Sequence, residues 1–208
     1  VSKPQLLLIG AGGHSRSCIE VIEQEGEFAI AGLVGLQNES HSKQLGYSVI
    51  GTDADLTLLA EQYKYALITV GQIKSPAIRK SLYLQAVKLG FYLPTIIAPS
   101  ACVSRHAVLG LGNIVMPGVI LNAGVKIGDN CIINSRALIE HDATVGDHSH
   151  VSTGTIVNGS VRIGEGCFIG SGSIIKQNIS IGNNSIVAMG IAVKHDVAPN
   201  TKLSSNVP

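Results

Sequence analysis

At 208 residues the chain has room for one domain or two small ones. Charged residues are only 14%, the formal net charge is +1 and aromatics are 4% with no Trp, which excludes the basic surface a nucleic-acid partner needs. No leader peptide and no apolar run of membrane-spanning length is read, so the chain is expected in the cytoplasm.

The first element expected is a buried strand over residues 5–9, all apolar after Gln5. Gly10-Ala11-Gly12-Gly13-His14-Ser15 follows, then a helical pattern from Ser17 to about Glu25. A dinucleotide fingerprint needs a third glycine where Ser15 stands, so an NAD site is poorly supported. The glycines still admit a ligand close to the backbone, and the helix start favours a phosphate. A tight turn with no ligand is the ordinary alternative.

Further strands are expected over residues 29–34 and 65–70. Between them Thr52 is a plausible cap for a short helix near Asp53. Ser75 and Pro76 open another helix to Lys88, and Gly90 ends it. Alternating strand and helix argue a small parallel sheet over residues 1–96, a domain suited to holding a ligand at the glycine loop.

From Ile97 the pattern changes to a period of six. Ile97, Val103, Leu109, Val115 and every sixth residue up to Val193 make 17 positions, all Ile, Val or Leu. The next residue is Gly, Ala, Ser or Asn in 13 of the 17, the exceptions being Met116, Glu140, Lys176 and Lys194. Neither a helix nor a flat strand repeats in sixes; a hexapeptide β-helix does. Three short parallel strands then make each triangular coil, with the small residue expected where the backbone turns. Residues 97–208 are therefore expected to form one prism of five to six coils, roughly 27 Å tall at strand spacing.

The cysteines are Cys18, Cys102, Cys131 and Cys167, without CxxC spacing. Cys131 and Cys167 lie two coils apart in one column and read as small core residues. The sixth hexad place gives an apolar column of Ile114, Ile132, His150, Phe168 and Ile186, expected either to turn inward or to be covered by another subunit.

Three of seven histidines fall within residues 139–150. His141 has small neighbours on the adjoining coils, Ala123 and Gly159, so the space over and under its ring is open. Glu140 and Asp142 flank it, and either carboxylate would fix its tautomer if it reaches. A solvated surface histidine is the bland alternative.

Gly10-Ala11-Gly12-Gly13-His14, the 17 hexads, and Glu140-His141-Asp142 followed by His150 together resemble one family, over nearly the whole chain. It is similar to the bacterial sugar acetyltransferases of the NeuD/PglD type, which modify sialic acids or nucleotide-linked 4-amino sugars. The resemblance implies a left-handed parallel β-helix behind a Rossmann-like α/β unit. It also implies a homotrimer with active sites between subunits, and acetyl-CoA as donor with no metal. His141 would be the general base and Asp142, or Glu140, its orienting carboxylate. His150 is implied to meet the acetyl-thioester end of the coenzyme, and Gly159 to offer its N–H to the carbonyl oxygen. Gly10, Gly12, Gly13 and His14 would lie near the acceptor and its phosphates.

Two departures stand out. Where the family carries an acidic pair after its second strand, this chain has Val34-Gly35-Leu36, with no acid until Glu39. The tail stops at Asn206-Val207-Pro208, short of the family's coenzyme contacts. The acceptor expected first is a UDP-linked 4-amino sugar, N-acetylated; a sialic-acid-like sugar, O-acetylated, is the alternative. Further rivals are a zinc hydratase built on His141, His148 and His150, and a scaffold without catalysis.

Overall fold

A computed structural model of the chain describes residues 2–39 and 42–204. The tail residues Asn206–Pro208 lie outside them. The described chain divides into two compact units. One comprises residues up to Gly71 together with Ala77–Pro99; the other takes the short segment Gln72–Pro76 and everything from Ser100 on.

The first unit is an α/β sheet. Its elements are β1 (Gln5–Ile9), α1 (Gly13–Glu25), β2 (Ala29–Gly35), β3 (Lys43–Gln44), β4 (Tyr47–Thr52), α2 (Leu56–Gln62), β5 (Tyr65–Ile68) and α3 (Ala77–Lys88). The sheet order is β3-β4-β2-β1-β5, parallel except for the β3–β4 edge. In central β1, Leu6, Leu7, Leu8 and Ile9 are all fully buried, as a strand covered on both faces must be. Leu7 and Ile9 join Val34, Leu56, Leu59, Ile68, Leu82 and Phe91 in one core.

Three expectations shift by a few residues. The helix α1 starts at Gly13, four residues before Ser17, because Gly12 serves as its extended N-cap and Ser15 bonds back to the Gly12 carbonyl. His14 therefore sits in a helical first turn, not in a loop. The third parallel strand, β5, ends at Ile68. Thr52 caps a single 3-10 turn, Asp53–Asp55, that runs into α2.

The second unit is a left-handed parallel β-helix. Its phase is that of the sequence: from Ile96–Ile97 to Ala192–Val193 there is one two-residue strand every six residues, 17 in all. Residues 18 apart pair along each face, as in Ile120↔Leu138↔Ile156↔Ile174↔Ala192. Each strand joins a sixth hexad place to a first, and the two side chains point to opposite sides. First-place residues from Val115 to Val193 all lie inside, none more than 4% exposed. Each such burial stabilises by roughly 1.5–3 kcal/mol, which makes the column the source of the prism's rigidity.

The turn chemistry differs from the expectation. The left-handed residue falls at the fourth place of each hexad, in all 14 hexads from Gly112 to Gly190, and is often Asn or Gly. Small second-place residues serve stacking between coils instead. A β-carbon on Gly146 would lie 2.6 Å from the Glu165 nitrogen, and one on Gly170 2.4 Å from the Met189 nitrogen. Cys131 and Cys167 are buried free thiols, and burial raises the Cys167 thiol above its ordinary range.

Candidate active site

His141 lies at a corner of the prism, in the turn between strands Leu138–Ile139 and Thr144–Val145. The next residue, Asp142, takes the left-handed fourth place with φ 60°. That turn swings its carboxylate beside the preceding imidazole, with Oδ2 2.9 Å from His141 Nδ1. A carboxylate only accepts, so Nδ1 carries the proton and Nε2 is left with a lone pair. Both side chains are about two-thirds exposed, at 65% and 67%.

The Nε2 edge points at Gly159, one coil on. A β-carbon there would lie 2.7 Å from Nε2 and 2.8 Å from Cε1, so only glycine leaves the ring this position. The Gly159 carbonyl accepts from the Asn178 N–H. Its own N–H has no acceptor among the described residues. Around this pair is an open cavity of about 420 Å³ lined by Glu140, His141, Asn158, Gly159, Ser160, Gln177 and Asn178. Glu140 lines it too, but its Oε2 accepts from Asn122 Nδ2 at 2.7 Å. Of the two candidate orienting carboxylates, only Asp142 bonds the ring. The Asn122–Glu140 pair was not anticipated, although Glu140's break of the small-residue rule marked the place.

His150 lies elsewhere. It faces outward from its strand yet is only 7% exposed. Neither inward turning nor a second subunit is what buries it. The segment Gln72–Pro76 does so, the Gln72 carbonyl accepting from Nδ1 at 2.6 Å and Gln72 Nε2 donating to the Cys167 carbonyl at 3.3 Å. Because the sequence around residue 72 has no repeat signature, nothing there announced this cover. Nδ1 is thus the protonated nitrogen, and Nε2 accepts from Asn134 Nδ2 at 3.3 Å. Phe168 meets the ring edge to face, with centroids 5.2 Å apart. His148 pairs through Nδ1 with Asn130 Nδ2 at 3.0 Å. Among the described residues no group of three His, Cys, Asp or Glu side chains is placed to hold a metal.

At the head of the first unit, the loop glycines divide by role. Gly10 has φ 125°, and a β-carbon on it would lie 2.7 Å from the Val70 nitrogen, so packing alone demands glycine there. The Gly10 carbonyl accepts from Thr69 Oγ1 at 2.6 Å. Fully buried Arg79 holds the segment after β5, its Nη1 donating to the carbonyls of Ile68 and Val70 at 2.6 and 2.9 Å. Burial pushes the Cys18 thiol up to about 12, offset in part by Arg79, so this cysteine is unreactive. Gly12 and Gly13 instead face open space, and Gly71 lies against the His14 side chain, where an added β-carbon would meet His14 Cβ at 3.4 Å. A ligand has room only at Gly12, Gly13 and His14. No helix is long and apolar enough to cross a membrane.

A hexapeptide prism with an open histidine at its corner, behind an α/β unit, defines an acetyltransferase class, and the comparisons agree. Residues 5–86 match the PglD N-terminal domain, and residues 124–158 and 160–194 the hexapeptide repeat of succinyl-transferases. Perosamine N-acetyltransferase from Caulobacter crescentus, a His-to-Asn variant in complex with CoA and GDP-perosamine, is 33% identical with a TM-score of 0.90, over 95% of this chain and 92% of that one. The acetyltransferase domain of PglB from Neisseria gonorrhoeae, in complex with acetyl coenzyme A, is 30% identical with a TM-score of 0.87, over 99% and 98%. WeeI from Acinetobacter baumannii shares the fold at 21% identity, with a TM-score of 0.85 over 98% of both chains. The chain belongs to the PglD/NeuD-type sugar acetyltransferases of the hexapeptide-repeat superfamily, with acetyl-CoA as co-substrate.

Proposed function

We propose that this acetyltransferase N-acetylates an amino sugar linked to a nucleoside diphosphate, with His141 as general base. The observation that carries the proposal is the pairing of His141 Nδ1 with Asp142 while Nε2 faces the open cavity at Gly159. The acceptor amine enters that cavity and attacks the thioester carbonyl of acetyl-CoA. Nε2 takes the proton the amine sheds, and Asp142 steadies the imidazolium. As the thioester oxygen becomes negative, the Gly159 N–H stabilises it, an effect of about 3 kcal/mol per donor. The tetrahedral intermediate collapses with loss of CoA thiolate, which takes up a proton. No covalent enzyme intermediate is needed, because two substrates held side by side already gain much of the acceleration.

His150 enters this scheme differently. With Nδ1–H committed to Gln72, the neutral ring offers no proton at Nε2 to a thioester oxygen. A direct contact of that kind requires the protonated ring.

The corner that carries His141 is flanked by a face whose outward side chains are apolar: Ile120, Leu138, Ile156 and Ile174. Ile120 and Ile174 are exposed. This supports a homotrimer whose subunits cover that face and close the site from a second side. Both co-substrates are cytoplasmic metabolites, and we place the reaction there.

The first expectation was a UDP-linked 4-amino sugar, whereas the relative from Caulobacter holds GDP-perosamine. The test therefore offers GDP- and UDP-linked amino sugars and sialic acid, and follows release of CoA thiol. Transfer to a nucleotide-linked amino sugar that is lost in His141→Ala supports the proposal. Transfer only to sialic acid moves the function to O-acetylation.

A further inference from the structure

We propose that Glu39 binds the ribose hydroxyls of the acceptor nucleotide, in place of the acidic pair this chain lacks after β2. The inference rests on the nucleotide-linked acceptor argued above. In an open parallel sheet, ligands lie beyond the carboxyl ends of the strands, and a carboxylate at the end of the second strand is placed to take ribose hydroxyls. Here β2 ends at Gly35 with no acid of its own.

The chain supplies one by folding back. The turn Gln37–Glu39 follows directly, with the Glu39 N–H bonded to the Leu36 carbonyl at 2.8 Å. The Leu36 N–H in turn donates to Glu39 Oε2 at 2.8 Å. The side chain is thereby anchored over the strand end. Gly35 makes the room: a β-carbon on it would lie 2.9 Å from Glu39 Oε2 and 3.1 Å from Ala11 Cβ. One point touches both the carboxylate and the residue between Gly10 and Gly12, so Glu39 lies at the flank of the glycine loop.

One lone pair of Oε2 serves Leu36; Oε1 has no partner among the described residues. An ionised carboxylate accepts about four hydrogen bonds, which leaves capacity for both hydroxyls of a ribose. With phosphates at Gly12 and Gly13, where the backbone faces open space, the sugar next to them reaches this carboxylate.

The experiment compares kcat/KM for an amino-sugar acceptor carried on a ribonucleotide and on its 2′-deoxy counterpart with the same base. Wild type should prefer the ribonucleotide by about 10- to 100-fold, the usual penalty for leaving a charged acceptor unpaired. Glu39→Gln should bring that ratio close to unity and raise the acceptor KM, with the KM for acetyl-CoA unchanged. Gly35→Ala should do the same while folding normally, because the group its methyl displaces is the end of a flexible side chain. An unchanged ribo/deoxy ratio in Glu39→Gln overturns the assignment, as does a change confined to the guanosine/uridine ratio, which would mean the base is contacted. Isothermal titration with GDP, UDP and their 2′-deoxy forms separates the two readings. A wild type that binds no nucleotide and acetylates another acceptor refutes the acceptor class, and this inference with it. Acetylation of a nucleotide sugar with an indifferent Glu39 refutes this inference alone.

Discussion

His141 and His150 are nine residues apart in the chain, yet they differ in almost every physical respect. The first sits at a corner, 65% exposed, with one nitrogen on Asp142 and the other facing open space. The second sits on a flat face, 7% exposed, with both nitrogens engaged and a phenyl ring against it. In a solenoid, the place within the hexad decides the environment, and sequence proximity says little. A third-place residue projects from a corner and meets solvent or substrate. A sixth-place residue belongs to a face, where whatever covers the face claims its hydrogen bonds.

If that contrast governs function, substitutions at the corner should affect rate and substitutions on the face should affect stability. The largest effect is expected for His141→Ala: kcat lower by about two to three orders of magnitude, with the thermal transition little moved because the side chain is mostly exposed. Turnover near that of wild type would remove His141 from the base role. Asp142→Asn keeps a residue tolerant of the left-handed turn and deletes only the charge. Its kcat should fall less, about 10-fold or more, since the tautomer is then held by a weaker partner.

Gly159→Ala sharpens the same point. The added methyl would lie 2.7 Å from His141 Nε2, and the exposed ring can swing away at little cost in stability. We expect kcat/KM to drop by about 10- to 100-fold, with a thermal transition close to that of wild type and a crystal structure showing the imidazole rotated out. An undisplaced ring with full activity would mean the corner is looser than its geometry implies. On the face, His150→Ala leaves the Gln72 carbonyl and the Asn134 amide without their partner. Stability should fall by about 1–3 kcal/mol, read from denaturant unfolding, with kcat reduced far less than in His141→Ala. A loss of kcat as deep as that of His141→Ala, at unchanged stability, would instead show His150 touching the thioester.

The corner was legible in the sequence for a physical reason. The aliphatic first places fix the phase, and 18-residue arithmetic then puts Gly159 against His141 without any side-chain geometry. What the repeat does not encode stayed hidden. Gln72 lies in an irregular segment, so its cover over His150 leaves no periodic trace. The left-handed fourth place was masked because Asn, Asp, Ser, Arg and His share it with glycine. In the α/β unit the glycine loop was recognised as a group, but Gly10 answers to Val70 and only Gly12 and Gly13 to open space. Glutamate 39 looked like an acid too far along the chain, since a sequence does not show a turn folding back.

The contrast extends to the two units, and Thr52 isolates the α/β one with the smallest effect expected. Thr52 Oγ1 and N–H both engage Asp55 Oδ2, at 2.9 and 2.8 Å, closing a capping box ahead of α2. That helix inserts Leu56 and Leu59 into the core shared with Leu7, Ile9 and Val34. Thr52→Ala should cost about 1 kcal/mol, the usual value for a lost N-cap side chain. Hydrogen exchange should then quicken in β4 and α2, while the prism amides around Ile139 and Val157 keep their protection. With acetyl-CoA and acceptor both saturating, kcat should stay near that of wild type, because nothing at the His141 corner has moved. Faster exchange along the prism ladder would show instead that the two units unfold as one, and rate and stability could no longer be assigned to separate parts of the chain.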